Sequence, residues 1–335
     1  MVHIALVGCG GMAHWHADKL IKLEEARVVA LCDTRPRQTA EFKAKYFPDA
    51  AEYPSLEALL EKPPAKLDAV ILITPHTLHY PQCLLALDRG LHVLVEKPMV
   101  TSSEHAYDLW RRVKQTGRTF AIAFQAPYTP EYQAIAHMRD SGLIGTPQII
   151  AGWLAQGWKQ LTTGTWRQDP RLSGGGQMYD SGAHVFNGIM WIMNNPVVEV
   201  ACFLDNAGTP VDINGVAIMK FANGALGSVA IGGNSPGWDV SITLQSDQMT
   251  IKTGPHGGFL EATRGGRKYY PFVPQEDHPA AGSPSLNFIR AILGREKLVS
   301  PVRFGVLLSV LMDALYESAR TGAPVRVKPV PDDLP

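Results

Sequence analysis

The chain has 335 residues, more than a single hydrophobic core usually supports, so we expect two domains. Lysine plus arginine equals aspartate plus glutamate, at 31 residues each, so no excess positive charge attracts nucleic acid or anionic lipid. The four cysteines form no CxxC pair, and the sequence shows neither a signal-peptide pattern nor an apolar run of membrane length. We therefore expect a cytoplasmic protein without membrane or nucleic-acid partners.

The first third of the chain alternates short apolar runs with helical stretches. The apolar runs are nearly continuous, as expected for parallel strands that helices cover on both faces. Repeated strand–helix units predict a doubly wound parallel sheet of the Rossmann type. The predicted strands are His3–Val7, Val28–Cys32, Ala69–Ile73, His92–Val95 and Thr119–Phe124, and the main predicted helices are Pro36–Tyr46, His79–Arg89 and Thr101–Gln115.

The pattern changes after residue 124. A helix around Pro130–Ser141 leads into longer strands with more alternation, which predict a large, mostly antiparallel open sheet in a C-terminal α/β domain. Pro271–Pro284 is predicted to be a loop, and a last helix covers about Arg303–Thr321. We therefore divide the chain into residues 1–124 and 125–335. The predicted strands of the second part are Gln148–Leu154, Val198–Leu204, Gly215–Phe221, Leu226–Ile231, Val240–Gln245 and Met249–Lys252.

A glycine-rich loop follows the first predicted strand. Gly8 permits a tight turn, Gly10 lets the backbone approach a pyrophosphate, and the small Ala13 lets helix and strand pack closely. The helix that follows supplies backbone donors to phosphates. Asp33 closes the next strand 20 residues beyond Ala13, the spacing of a dinucleotide fingerprint. The sequence therefore predicts NAD(H) binding at the loop Gly8-Cys9-Gly10-Gly11-Met12-Ala13.

Asp33 also favours NAD over NADP. Its carboxylate would accept from the ribose hydroxyls and would repel a 2′-phosphate, by several kcal/mol when desolvated. Arg35 and Arg37 follow closely and would partly offset that repulsion, so NADP is the less favoured cofactor.

Two further motifs point to chemistry. Glu96-Lys97-Pro98 ends a strand of the predicted Rossmann sheet, where ligands bind in such folds. Downstream, three consecutive glycines precede Asp180 and His184, which are four residues apart and would share one face of a helix starting near the glycines. With Lys97 as a third member, this pair indicates a catalytic site.

These motifs resemble those of the Gfo/Idh/MocA oxidoreductase family, which includes sugar and inositol dehydrogenases. The similarity covers nearly the whole chain. It implies a Rossmann domain followed by a substrate-binding domain whose open sheet assembles dimers or tetramers. Residue by residue, it implies that Lys97, Asp180 and His184 are catalytic, that Thr74, Pro75, His79 and Glu96 lie near the cofactor, and that Trp166 and Arg167 line the active site.

The implied reaction transfers a hydride between the nicotinamide and a carbinol or carbonyl carbon of a sugar or polyol. His184 is the natural base, because imidazole titrates nearest neutrality, and Asp180 would orient it or bond a neighbouring substrate hydroxyl. Lys97 would polarise the carbinol oxygen. Gln125 and Tyr128 are expected to bond the substrate, where many members of the family carry an arginine-containing segment.

Several alternatives stay open at this point. A glycosidase that retains NAD and acts by transient oxidation would show the same motifs, and so would a non-catalytic dinucleotide-binding sensor. Trp153, Trp158 and Trp166 are consistent with a wall on which a sugar stacks. No metal is expected, because there is no H-E-x-x-H motif and the paired histidines near residues 14–16 and 76–79 lack a third ligand.

Overall fold

The computed structural model describes residues 1–269 and 282–331. All but the last three residues of the predicted loop Pro271–Pro284 lie outside these ranges, and Pro284 begins a helix. The described residues form two sheets, one in each part of the chain.

The first sheet has six parallel strands in the order β3-β2-β1-β4-β5-β6, which confirms the predicted Rossmann fold. The strand order reverses at β1 and β4, because β2 and β3 are added on one side of β1 and β4 to β6 on the other. Ligands of doubly wound sheets bind at this switch point. The six strands are β1 (Val2–Val7), β2 (Ala26–Cys32), β3 (Ala51–Tyr53), β4 (Ala69–Leu72), β5 (His92–Val95) and β6 (Phe120–Ile122).

Helices cover both faces of this sheet, and strands β4 and β5 are buried almost throughout, as the continuous apolar runs predict. The third helix and the edge strand β3 were not predicted. Strand β3 is three residues long and mostly exposed, so it has no apolar run that would indicate a strand. The fourth helix starts at His76, three residues before its predicted start, directly after Pro75. The helices of this part are α1 (Gly11–Leu20), α2 (Pro36–Tyr46), α3 (Leu56–Glu61), α4 (His76–Asp88) and α5 (Ser103–Thr116).

The second sheet has nine strands in the order β14-β13-β12-β11-β7-β10-β9-β8-β15. Among the strand pairs that the described residues form in this sheet, only that of β7 with β10 is parallel, so the predicted, mostly antiparallel sheet is confirmed. The nine strands are β7 (Pro147–Ala155), β8 (Val197–Asp205), β9 (Asn214–Phe221), β10 (Leu226–Gly232), β11 (Asp239–Ser246), β12 (Thr250–Thr253), β13 (Leu260–Arg264), β14 (Arg267–Tyr269) and β15 (Val325–Arg326).

Burial alternates along the central strands of this sheet, so one face is packed and the other is open. Phe203, Val216 and Trp153 lie in one row across the open face, because Val216 pairs with Phe203 and both Val216 and Trp153 pair with the same residue of β10. Phe203 is 73 % exposed. The packed face lies against helices, and the helices of this part are α6 (Pro130–Asp140), α7 (Trp158–Thr162), α8 (Pro170–Ser173), α9 (Gly182–Met193), α10 (Pro284–Ile292) and α11 (Val302–Thr321).

Helices α10 and α11 return to the first sheet. Helix α10 packs against α1, β5 and β6, and α11 packs against α5 and β6. The amide of Ile122 in β6 donates to the Ser300 carbonyl at 3.0 Å, and the Ser285 hydroxyl lies 2.8 Å from the His16 ring. The last helices therefore complete the environment of the nucleotide-binding part. Among residues 1–269 and 282–331, no helix combines the length and the hydropathy that a membrane span requires.

Candidate active site

A cavity of about 340 Å³ lies where the carboxyl ends of the first sheet face the segment leading into α9. Both parts of the chain line it, so it is a site between them. The lining residues from the first part are Gly10, Gly11, Met12, Ile73, Thr74, His76, Glu96 and Lys97, and those from the second are Gln125, Trp166, Arg167, Asp180, Ser181, His184 and His256.

The glycine-rich loop forms one wall of this cavity. Gly8 has φ +97°, and a Cβ there would collide with the Ile73 carbonyl of the neighbouring strand end, so only glycine fits. Helix α1 begins at Gly11 with Gly10 as its N-cap and no side chain capping it. The first amides of α1 therefore remain as donors at the positive end of the helix dipole, a geometry that suits a pyrophosphate. Ala13 is fully buried, as close packing of helix and strand requires.

Asp33 lies at the end of β2 and binds the loop. One carboxylate oxygen accepts from the Cys9 amide at 2.9 Å, and the other accepts from the amide and Nε of Arg35 at 3.0 and 3.2 Å. The Asp33 side chain is only 7 % exposed, whereas that of Arg35 is 65 % exposed. A carboxylate can accept about four hydrogen bonds, so Asp33 retains capacity for a ribose hydroxyl.

The other residues predicted near the cofactor divide into two groups. Thr74 and Glu96 line the cavity, whereas Pro75 stands at the start of α4 and His79 is fully buried. The ring nitrogens of His79 lie 2.8 Å from the Pro98 carbonyl and 2.9 Å from the Thr74 carbonyl. His79 thus joins the ends of β4 and β5 and acts through the backbone, without facing the cavity.

Glu96 is held by a buried network. Its Oε1 lies 2.8 Å from Nε2 of His16, and its Oε2 accepts from the Lys97 amide at 3.1 Å. Burial raises the pKa of the Glu96 carboxyl, but the hydrogen bond from His16 and the charge of Lys97 lower the pKa by more than burial raises it. The net pKa is therefore below its usual value, and the group stays ionised. This network fixes the residue that precedes Lys97.

Asp180 is the most heavily bonded side chain of the cavity. Its Oδ1 accepts from Lys97 Nζ at 2.7 Å, and its Oδ2 accepts from Trp158 Nε1 at 2.9 Å and Arg167 Nε at 3.0 Å. Burial raises the pKa of Asp180, but the charges of Lys97 and Arg167 outweigh that effect and hold the pKa well below its usual range. We call Asp180, Lys97, Trp158 and Arg167 the Asp180 cluster.

The expectation that Asp180 shares a helix with His184 is wrong. Helix α9 begins at Gly182, and Asp180 lies in the turn before it, where its amide bonds the Gly176 carbonyl. The turn is shaped by Asp212, whose carboxylate accepts from the amides of Gly176 and Met178 at 2.8 Å each. The Asp180 and His184 side chains both line the cavity, but Asp180 belongs to the turn and His184 to α9.

His184 lies in the first turn of α9, where its ring packs edge-on against His256 with 4.2 Å between centroids. Within residues 1–269 and 282–331 the ring makes no hydrogen bond, so Asp180 does not orient it as expected. Burial, together with His256 and Lys97, lowers the pKa of His184 well below 6.5. Burial and Lys97 likewise lower the pKa of His256 to about 4. We call these two neutral imidazoles the histidine pair.

Trp166 and Arg167 form a short 3₁₀ turn beside the Asp180 cluster. The Arg167 guanidinium lies 4.5 Å from the centre of the Trp166 ring, which meets His76 edge-on at 4.7 Å. His76 bonds the Ser173 carbonyl through Nδ1, and its Nε2 lies 3.7 Å from Asp180. Burial lowers the pKa of His76 to about 3, so it is neutral.

Some predicted contacts are not brought to the cavity. Gln125 lines it, but Tyr128 is buried with its hydroxyl 3.4 Å from Asn287 of α10, so it faces away from the substrate space. Trp158 is buried against Asp180, and Trp153 faces the open side of the second sheet. Of the three tryptophans expected to form a sugar-stacking wall, only Trp166 lines the cavity.

Sequence reasoning missed His256 and His76 as cavity residues. It expected Trp158 in a sugar-stacking wall, whereas Trp158 belongs to the Asp180 cluster. His76 follows the Thr74-Pro75 motif at a strand end, a position that points to the site. His256 lies in the glycine-rich loop after β12, and only the order of strands in the second sheet reveals that this loop reaches α9. Chemically, the site combines an anchored ammonium, which can stabilise a developing alkoxide, with neutral imidazoles, which can accept a proton.

Both parts of the chain match models of one family. Residues 2–124 match the Gfo/Idh/MocA oxidoreductase family with an NAD-binding Rossmann fold, and residues 132–252 match the Gfo/Idh/MocA C-terminal domain. The two matches together cover well over half of the chain.

Relatives of known name span nearly the full length. The chain is 22 % identical to D-glucoside 3-dehydrogenase of Escherichia coli K12, with 97 % of each chain covered. It is 24 % identical to inositol 2-dehydrogenase of Rubrobacter xylanophilus, over 98 % of this chain and 93 % of that one. A dehydrogenase from Bordetella pertussis, solved with NADH and UDP-GlcNAcA, superposes with a TM-score of 0.85 at 23 % identity and 98 % coverage of both chains.

Proposed function

The chain belongs to the Gfo/Idh/MocA oxidoreductase family, and we propose that it is an NAD-dependent dehydrogenase that oxidises a carbinol of a sugar or polyol. One observation carries this proposal. Lys97 is bonded to Asp180 at 2.7 Å in a cavity that also contains the start of α1 and the neutral ring of His184. An anchored cation and a neutral base beside a dinucleotide loop are the groups that alcohol oxidation requires.

The residues at the carboxyl edge of the first sheet fit a dinucleotide. The free amides at the start of α1 would bind the pyrophosphate, and Asp33 would accept from the adenosine ribose. Thr74 and Glu96 would border the nicotinamide end. When bound, the nicotinamide supplies the two-electron redox chemistry of the reaction.

Asp33 supports NAD over NADP, because its carboxylate would repel a 2′-phosphate. Arg35 is exposed and already paired with Asp33, so its charge is partly neutralised where a 2′-phosphate would bind.

We assign the proton chemistry to three side chains. His184 accepts the hydroxyl proton, because its lowered pKa keeps the ring neutral at physiological pH. Lys97 donates to the same oxygen and stabilises the negative charge that develops there. Asp180 is a positioning residue for Lys97, since both of its oxygens are occupied by donors.

Gln125, Trp166 and Arg167 would bind the remaining hydroxyls of the substrate. Trp166 offers an aromatic face, and the Arg167 guanidinium next to it offers donors. These groups suit a neutral, hydroxyl-rich molecule.

The test is turnover by the purified protein with NAD or NADP and a panel of sugars, glycosides, inositols and sugar acids, followed by NADH absorbance. We expect NADH to form with at least one sugar or inositol, and faster with NAD than with NADP. Free sugar released without net NADH formation would instead identify the NAD-retaining glycosidase. Tight NADH binding without turnover across the panel would identify a sensor.

We also propose that the chain forms a homodimer or homotetramer through the open face of the second sheet. Large apolar side chains are exposed in a contiguous patch there, an arrangement that favours association. Phe203→Glu is expected to lower the mass measured by light scattering, whereas Ile21→Glu, at an exposed position on the end of α1, leaves it unchanged. An unchanged mass for Phe203→Glu would contradict this assembly. The patch consists of Ile149, Trp153, Phe203, Val216, Ile218 and Leu226.

The division at residue 124 into nucleotide-binding and substrate-binding parts is likewise proposed, with the nucleotide-binding part completed by α10 and α11. A reducing, cytoplasmic location is supported by the four cysteines, which are all buried and unpaired as thiols.

A further inference from the structure

His256 lines the cavity but has no part in the proton chemistry assigned above. It lies between β12 and β13 in the loop Gly254-Pro255-His256-Gly257-Gly258. Its ring is in contact with that of His184 at an interplanar angle of 65°. A second imidazole next to the proposed base therefore faces the substrate space.

The loop that carries His256 has little freedom to move. The Tyr132 hydroxyl donates to the Gly254 carbonyl at 3.0 Å. Gly257 has φ +75°, and a Cβ there would lie 2.6 Å from Glu131 Oε2 and 2.8 Å from Thr129 Oγ1, at the start of α6. The loop is thus held closely against α6, and the His256 ring is preorganised before any substrate binds.

The two ring nitrogens of His256 differ. Nδ1 is buried and has no hydrogen-bond partner among the residues that the structure describes, whereas Nε2 is not enclosed in this way. A buried N–H without an acceptor is rarer in proteins than an acceptor that is left under-satisfied. Since the ring is neutral and no acceptor faces the buried Nδ1 among the described residues, we place its single proton on Nε2.

We propose that His256 is a substrate-binding residue whose Nε2–H donates to an oxygen on the carbon next to the reacting carbinol. The inference rests on the proposed function, in which His184 accepts the proton of the reacting hydroxyl. Because the two ring centroids are only 4.2 Å apart, we expect the oxygens that the rings bond to lie on neighbouring carbons. His256 therefore selects substrates with two adjacent oxygen-bearing carbons, and the preferred substrate class is a vicinal diol.

The experiment compares diol and deoxy substrates. The probes are D-glucose, D-xylose and myo-inositol, the other sugars and inositols that the unaltered protein oxidises, and the monodeoxy analogues that lack the hydroxyl next to the oxidised carbon. We expect kcat/KM of the unaltered protein to be about tenfold lower for a deoxy analogue than for its parent, the effect of one lost hydrogen bond. His256→Phe should lose about tenfold on the parent and little on the analogue.

Two further variants separate hydrogen bonding from packing. In His256→Gln the amide nitrogen stands near the place of Nε2, so discrimination should largely return, whereas His256→Asn is too short and should not restore it. His137→Phe, at an exposed position on α6, is the matched control and should behave like the unaltered protein. NADH binding, followed by its fluorescence, should be unchanged in all of them.

Each outcome has a definite meaning. Equal losses on parent and analogue in His256→Phe would mean that the ring only packs against His184, and the inference would be overturned while the proposed function stands. If His256→Phe fails to bind NADH, the Gln and Asn variants decide by the same comparison. If the unaltered protein reduces NAD with no member of the wider panel, the proposed function fails, and this inference fails with it.

Discussion

Two groups of side chains share the cavity and differ in how they are bonded. In the Asp180 cluster, the carboxylate takes three donors, and its pKa is held low. In the histidine pair, neither ring makes a hydrogen bond to any residue in 1–269 or 282–331, and both are neutral. The Asp180 carboxylate thus has hydrogen-bond partners without a ligand, whereas the two imidazole rings have none among the described residues.

This difference separates positioning from binding. A buried charge must be paired, so the Asp180 cluster is rigid and holds Lys97 in one place. In the histidine pair only Nδ1 of His256 is both buried and without a partner among the described residues, so Nε2 of His256 and the His184 ring stay accessible to a bound substrate. The substrate oxygens are therefore expected at the histidine pair and at Lys97, and not at Asp180.

The largest effect is expected from removing the base. His184→Ala should lower kcat by about 10²–10⁴-fold, since it removes the side chain that accepts the hydroxyl proton in the proposed mechanism. NADH binding, measured by fluorescence titration, should persist because the α1 amides are untouched. His137→Ala serves as the control, and turnover equal to that of the unaltered protein would remove His184 from the mechanism.

Asp180→Asn should act through Lys97. The variant leaves Lys97 and Arg167 without a counter-charge, so we expect a loss of about 3 kcal/mol in the free energy of unfolding. Since Lys97 also loses its fixed position, kcat should fall by about 10–100-fold, less than for His184→Ala. Urea unfolding and steady-state kinetics measure the two effects, and a fully stable, fully active variant would contradict the positioning role.

Acid should destabilise the histidine pair before it affects the Asp180 cluster. The unfolded chain protonates histidine near pH 6.5, whereas the folded His256 resists protonation until about pH 4. The unfolded state therefore binds more protons in this window, and the free energy of unfolding falls as the pH drops from about 6.5 to 4, by about 3 kcal/mol for His256. Asp180 has a lowered pKa, so its contribution is lost only below about pH 4.

His256→Phe tests whether acid destabilises the protein through the histidine pair first. Urea unfolding measured between pH 7 and 4 should show a shallower decline in the variant than in the unaltered protein. Identical slopes would show that His256 is not buried in its neutral form.

The smallest expected effect is on the pH profile of turnover. Because burial and the neighbours of His184 lower its pKa, kcat/KM for alcohol oxidation should stay level at pH 6.5 and decline only in more acidic solution. Asp180 opposes this shift, so Asp180→Asn should move the decline to still lower pH. A decline centred at or above pH 6.5 would be inconsistent with the buried, neutral base.

Much of the fold follows from local pattern. Continuous apolar runs predicted the parallel strands, alternating runs predicted the strands of the second sheet, and the ends of β1, β4 and β5 placed Gly8, Thr74 and Lys97 on one edge. The edge strand β3 escaped prediction because it is short and mostly exposed, and therefore carries no burial pattern.

The bonding inside the cavity does not follow from local pattern. The four-residue spacing of Asp180 and His184 suggested a helix, but Asp212 and a glycine-rich turn delay the start of α9 to Gly182. Trp158 and His256 reach the site through the order of strands in the second sheet, which no nearby sequence signal encodes. Tyr128 was misplaced for the same reason, since its partner Asn287 belongs to a distant helix.

The return of α10 and α11 to the first sheet has a consequence for how the protein is made. A ribosome completes all six strands of the nucleotide-binding sheet before it has synthesised Ser285, which bonds His16, or Ser300, which bonds the edge strand β6. During elongation, the β6 edge of the sheet and the buried His16–Glu96 pair therefore lack these partners until about the last fifty residues have been synthesised. The nucleotide-binding half is therefore the first to be synthesised and among the last to be finished, and a chain interrupted before α10 lacks the partners of both His16 and β6.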